Sequence, residues 1–175
     1  PLVIFVHGFK GFKDWGHFNL MADHFAQNGF AFLKFNFSYN GTTLEHPTDL
    51  ADLEAFGKNN YVTELDDLGK VIDWALSEEA IERIIDKNKI YLIGHSRGGG
   101  ICVLKAAEDT RIKKLVTWAA VSDFIGRNKQ ATLNDWRDKG VIYTFNSRTQ
   151  QHMPLYYQLY ETTQANKERL NIEKR

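Results

Sequence analysis

Several things are scarce in this 175-residue chain, and each scarcity removes a class of protein. The single cysteine, Cys102, cannot form an internal disulfide, so no disulfide scaffold is present. Proline occurs three times and glycine 13 times without period, which excludes a collagen-like fibre. No apolar run reaches the roughly 18 residues of a membrane-spanning helix, so no membrane span is predicted. Excess charge is also missing: 22 Lys and Arg balance 22 Asp and Glu. A nucleic-acid binder normally carries a basic excess or stripe, so no nucleic-acid partner is expected.

What is present is ordinary globular material, 43% hydrophobic and 25% charged, which excludes a disordered tail. With 12 Phe, 7 Tyr and 4 Trp there is ample material for a core. A chain of this size buries about 70% of its extended surface. Both ends read as cut: Pro1 leads at once into an apolar run, and Arg175 closes a charged, helix-like stretch. The lack of a leader therefore says nothing about compartment.

Apolar patterning divides the first two thirds of the chain into alternating elements. Leu2–Val6 is β-branched and continuous, the mark of a strand buried on both faces. Residues 15–28 carry Trp15, Phe18, Met21 and Phe25 near a helical period, stopped by Asn28–Gly29. Residues 30–37 read as a second strand and 38–59 as a long surface loop that includes a turn of helix. Tyr61, Leu65, Leu68, Ile72 and Ala75 predict a helix over 60–76, with a short second helix near 78–86. Strands are predicted at 90–93 and 115–121, with a helix over 101–108 between them. Alternating strands and helices imply an α/β fold: a mainly parallel sheet with helices on both faces. After Ser122 the pattern breaks. Residues 123–139 are polar with isolated aromatics, 141–153 read as a hairpin, and Pro154 is placed at the start of a helix. Residues 166–175 read as a solvated helix face.

Gly94-His95-Ser96-Arg97-Gly98 fits G-x-S-x-G, with a buried strand before it and a helix after it. Turning from strand to helix within one residue forces Ser96 into an unfavourable backbone conformation. Gly94 and Gly98 let neighbouring segments approach where a Cβ would clash. The hydroxyl then stands at the C-terminal edge of the sheet, beside free N–H groups and the positive end of a helix dipole. The rival reading is a nucleotide-binding turn, but the spacing matches neither G-x-G-x-x-G nor G-x-x-x-x-G-K-[ST]. His7-Gly8-Phe9-Lys10-Gly11 ends the first strand, at the same sheet edge as Ser96.

With these two motifs the chain resembles the α/β-hydrolase superfamily, nearest to single-domain esterases and acyl-peptide-hydrolase-like enzymes. HGFKG looks like the oxyanion loop and GHSRGG like the nucleophile elbow. The resemblance implies that Ser96 is the nucleophile and that the backbone N–H groups of Phe9 and Arg97 hold the oxyanion, each donor worth about 3 kcal/mol of barrier. His7, Gly8, Gly94, His95 and Gly98 support the motif. His7 orients its loop, with direct acid–base work as the alternative, and His95 points away from Ser96. The Arg97 side chain is a candidate substrate contact. Cys102 reads as an inert packing residue.

A serine hydroxyl needs a base to take its proton. The family order is Ser, then Asp or Glu, then His. Only His152 follows Ser96, and it falls in the hairpin, so the acid and base are expected beyond Arg175 and two further strands before Pro1. Asp123, just past the fourth strand, is an alternative acid or a cap for the segment it opens. Asp66 and Asp67 read as solvated face. His17, His24 and His46 lack H-x-H or H-E-x-x-H spacing, so no metal is expected, and no cofactor is implied. Residues 1–122 are assigned to the N-terminal part of the core and 123–175 to a cap-like excursion. In that excursion Trp136, Phe145, Tyr156 and Tyr157 either line a pocket or pack the cap. The expected activity is hydrolysis of a small-molecule ester or acyl substrate. The alternatives are a peptidase or amidase, an acyltransferase or haloperoxidase-like enzyme, and a noncatalytic ligand-binding module.

Overall fold

The computed structural model describes residues 1–126 and 130–175. Four parallel strands form the main sheet: β1 (Leu2–Val6), β2 (Ala31–Lys34), β3 (Ile90–His95) and β4 (Ile112–Trp118), in the order β2-β1-β3-β4. All five residues of β1 are buried, because it lies inside the sheet and is covered on both faces. Its two faces enter different clusters. Leu2, Ile4 and Val6 join one, and Val3 and Phe5 join the other.

Helix periodicity decides what covers each face. On α1 (Phe18–Gln27), Phe18, Met21 and Phe25 recur at three and four residues and pack on Val3, Phe5 and Ile93. The opposite face takes α3 (Tyr61–Ser77), whose buried stripe is Tyr61, Leu65, Leu68, Ile72 and Ala75. Asn60 starts α3 by accepting a hydrogen bond from the Thr63 N–H at 2.9 Å. Beside it runs α5 (Arg97–Glu108), with Ile101, Cys102 and Leu104 in the same cluster. The α/β architecture with helices on both faces is therefore present.

Several local expectations are corrected. The second strand ends at Lys34, and Phe35–Phe37 leave the sheet. There the Phe37 N–H donates to His7 Nε2 at 3.4 Å. Asp67 is buried rather than solvated; its carboxylate accepts from the Ser38 N–H at 2.8 Å and the Ser38 hydroxyl at 2.9 Å, anchoring the chain as it leaves β2. Asp66 does face solvent, paired with Arg169. The 38–59 loop contains α2 (Leu53–Lys58), capped by Asp52 accepting from the Ala55 N–H at 2.8 Å. A single turn follows α3 as α4 (Glu79–Glu82).

Beyond the sheet lie α6 (Gln130–Lys139), an antiparallel hairpin of β5 (Val141–Asn146) and β6 (Gln151–Tyr156), and α7 (Gln158–Ala165). The polar stretch gave no sign of α6, whose buried anchor is Trp136, donating from Nε1 to the Leu155 carbonyl at 2.7 Å. Pro154 does not start a helix. It sits in β6 opposite Tyr143, tolerated because a two-stranded ribbon has an outer edge that needs no N–H. Residues 166–175 are not one solvated helix either: Leu170 is fully buried, and only Ile172–Lys174 form a turn of 3-10 helix. The hairpin packs on α2 through Leu50, Phe56 and Met153.

Leu68 has no exposed surface and belongs to the larger core cluster. Leu68→Ala should cost about 3 kcal/mol, read as a lower urea midpoint with unchanged slope.

Candidate active site

Ser96 has φ +54° and ψ −116°, between β3 and α5. For a residue with a Cβ such a backbone costs on the order of 1–3 kcal/mol, and surrounding bonds must impose it. They do. The Ser96 N–H donates to the Trp118 carbonyl at 2.8 Å, and its carbonyl accepts from Val121 at 3.0 Å and from Gly99 at 3.0 Å. The serine is thus pinned between the end of β4 and the first turn of α5, and its side chain is half-buried rather than sealed in.

Glycine makes this crossing possible. A Cβ on Gly98 would lie 2.4 Å from the carbonyl oxygens of Val6 and His7. A Cβ on Gly94 would lie 2.6 Å from the Gly98 oxygen and 2.8 Å from Cys102 Sγ. On the other side, the Gly8 α-carbon faces Ser96: a Cβ there would be 3.0 Å from that of the serine. The HGFKG corner and the GHSRGG turn therefore meet at one rim of the sheet. Among the described residues, the N–H groups of Phe9 and Arg97 donate to no acceptor.

His7 is buried, and its pKa is lowered to about 4, chiefly by desolvation. A neutral ring suits its bonds: Nδ1 donates to the Gly8 carbonyl at 2.9 Å, and Nε2 accepts from the Phe37 N–H. Both nitrogens are thus committed to backbone. His95 turns toward Phe18 of α1, with ring centroids 6.4 Å apart, although its Nδ1 also reaches the Gly8 corner. Cys102 is buried, which pushes its thiol pKa up and leaves it a packing residue.

Arg97 shows what the sequence left unread. Its guanidinium lies 4.0 Å from the centre of the Phe9 ring and 5.0 Å from that of Tyr61. Nη1 donates to Glu64 Oε1 at 3.3 Å, and the same oxygen accepts from Asn59 Nδ2 at 2.7 Å. Burial raises the pKa of Glu64, partly offset by the Arg97 charge. The signal for Glu64 was its position: three residues after Tyr61 and four before Leu68, an acid on the core-facing stripe of α3. Arg97 and Phe9 open onto a cavity of about 270 Å³, walled further by Phe124, Trp136, Leu155 and Tyr160. A second cavity, of about 250 Å³, lies across the HGFKG corner against Gly8, Lys10, Trp15 and Arg148.

The remaining candidates stand apart. His152 is on the exposed face of β6 against Phe145, ring centroids 5.1 Å apart. Asp123 accepts from the N–H groups of Ile125 at 2.7 Å and Gly126 at 2.9 Å, which is the capping role. Of the four cap aromatics, Trp136 lines the larger cavity. Tyr157 packs on Trp136, Tyr156 covers Gly57, and Phe145 is half exposed.

The parallel sheet covered by helices on both faces agrees with the comparisons to known proteins. The family model described as the alpha/beta hydrolase fold matches residues 1–172, and the chain belongs to that family. It is similar to the quorum-quenching protein AidA of Acinetobacter baumannii, 27% identical over 123 residues, covering 70% of this chain and 36% of that one. Among solved structures it resembles DcsB in complex with its substrate analogue (TM-score 0.70, 20% identity, 98% of this chain and 68% of that one). It also resembles Est1E of Butyrivibrio proteoclasticus with ferulic acid bound (TM-score 0.65, 20% identity, 94% and 61%). The matched segment spans little more than a third of the curated relatives, 36% to 38% of their length.

The His7 pKa gives a sign that can be measured. Its folded value lies below the unfolded 6.5, so the unfolded chain binds the extra proton between the two. The stability of neutral His7 is complete above pH 6.5 and is lost as pH falls toward 4. The loss amounts to about 3 kcal/mol. Glu64, shifted up, acts in the opposite direction, so the difference between wild type and His7→Asn isolates the histidine. Urea denaturation from pH 4 to 7.5 should show a wild-type slope that the variant lacks.

Proposed function

We propose that the protein is a serine hydrolase that cleaves carboxylic esters through an acyl-serine intermediate. The observation that carries this reading is the strained Ser96 turn, held against the Gly8 corner, with the backbone N–H groups of Phe9 and Arg97 unbonded among the described residues. Ser96 Oγ attacks the ester carbonyl, and the developing oxyanion is met by the N–H groups of Phe9 and Arg97 at the start of α5. The alcohol leaves, and water then releases the acyl group. Family membership supports the general chemistry. The fold likeness to Est1E with ferulic acid bound favours an ester over a peptide.

The base and acid are assigned to residues outside 1–175. Both His7 nitrogens are engaged with backbone, His95 faces α1, His152 lies on the outer face of the hairpin, and Asp123 caps its own turn. Residues 1–122 form the first part of the catalytic core in this reading, and 123–175 the cap above Ser96. The cavity between Phe9, Arg97 and Trp136 takes the acyl group. Buried Arg97, paired with Glu64, braces the N–H it carries.

Treating the full-length protein with a fluorophosphonate should label one serine, identified by peptide mapping as Ser96. Ser96→Ala should abolish labelling and lower ester hydrolysis at least about a thousand-fold. Labelling at another residue, or retention of activity within ten-fold, overturns the assignment.

A further inference from the structure

The two cavities beside the Gly8–Phe9 corner differ in charge. In the larger one the Arg97 cation is countered by Glu64. The smaller one is lined by two cations, Lys10 and Arg148, and by no carboxylate. Neither cation takes part in an ion pair among the described residues. Lys10 Nζ donates to the Phe145 carbonyl at 2.7 Å, and Arg148 Nη2 donates to the Lys10 carbonyl at 3.3 Å. An ammonium has three donors and a guanidinium five, so most of their hydrogen-bonding capacity is unspent. Desolvation lowers the pKa of both side chains, opposed for Arg148 by the Asp49 charge.

A third group points the same way. Asn146 lines this cavity and is 6% exposed, yet its Nδ2 has no partner among the described residues. A buried amide donor left unpaired is destabilising, and a bound acceptor recovers that cost. Aromatic rings also line the cavity: the Trp15 ring centre lies 5.7 Å from the Arg148 guanidinium, and Phe18 is a further wall. Such walls suit a flat, partly apolar body carrying an anion.

We propose that this cavity is the leaving-group subsite, and that it takes an alcohol or phenol bearing a carboxylate, held by Lys10, Arg148 and Asn146. The inference rests on the serine-hydrolase reading above. Gly8, which touches Ser96, is one of its walls, so a group bound there lies beside the reacting carbonyl. Trp15 and Arg148 at its rim are exposed to solvent, as an exit for the first product requires, whereas the larger cavity lies under buried Trp136. In acylation the Ser96 Oγ–carbonyl bond forms, the bond from the carbonyl to the departing oxygen breaks, and the hydroxyl proton ends on that oxygen. The carboxylate stays on the departing group throughout.

The test compares 4-acetoxybenzoate with neutral 4-acetoxybenzamide on the full-length protein. The wild type should prefer the carboxylate about ten-fold in kcat/KM, as expected for one charge-assisted contact. Replacing both cations, Lys10→Gln with Arg148→Gln, should bring the ratio to about one. Arg148→Lys, which keeps the charge, should hold it above one, and circular dichroism checks that both variants fold. If a fluorophosphonate labels Ser96 but the wild-type ratio is one, or is undiminished in the double variant, the subsite is overturned and the hydrolase reading stands. If neither ester turns over and Ser96 is unlabelled, the hydrolase reading fails and calorimetry decides the subsite. Binding of 4-hydroxybenzoate but not 4-hydroxybenzamide, weakened at least ten-fold in Arg148→Gln, then supports an anion site there, and equal binding of both compounds overturns it.

Discussion

The close approach of α5 to the end of β1 is the constraint on which the site depends. A methyl group on Gly98 would collide with the main-chain oxygens of Val6, the last residue of β1, and of His7 after it, both in buried residues. With no side chain there, the first turn of α5 sits directly on the β1 exit. That contact sets the height of Ser96 above the sheet and brings Gly8 against it. The strain at Ser96 is held by bonds from two directions, the Trp118 carbonyl and the Val121 N–H, so it does not relax into an ordinary helix start. Beside the same main-chain crossing, the N–H groups of Phe9 and Arg97 have no acceptor among the described residues.

Around this rim the protein spends its polar groups on position. His7 is kept neutral by burial and used as a spacer, joining the Gly8 carbonyl to the Phe37 N–H. Glu64 reaches up from α3 to hold Arg97 between two aromatic rings, so the residue carrying one of the free amides is fixed from its side-chain end too. Asp67, one turn further along α3, secures the segment leaving β2. Two acids of one helix thus reach past the hydrophobic stripe to fix two different loops. Across the corner, Lys10 and Arg148 tie the hairpin to the HGFKG loop by hydrogen bonds to carbonyls, and neither forms an ion pair among the described residues.

The sheet and its covering helices were legible because their signals are local. Continuous burial of Leu2–Val6 and the three-and-four spacing of α3 follow from what each element touches on either side. The errors fall where a partner distant in the chain overrules a local rule. Pro154 is a good helix starter in isolation, yet pairing with Tyr143 across the hairpin makes it a strand residue. The polar 130–139 segment carries almost no apolar stripe, and Trp136 anchors it through one hydrogen bond to a carbonyl 19 residues later. Asp67 looks solvated until the chain leaving β2, 29 residues earlier, returns over it.

By itself the sequence determined the α/β class, the serine turn and the glycine corner, since these need only a few residues at fixed short spacing and the steric limits of a Cβ. Tertiary structure alone decided which charges are paired. Arg97 is matched by an acid 33 residues away, while Lys10 and Arg148, 138 residues apart, come together without an ion pair among the described residues. Spacing along a chain carries no record of such meetings, because the energy of a charge is set by what surrounds it in space and by how far water is excluded.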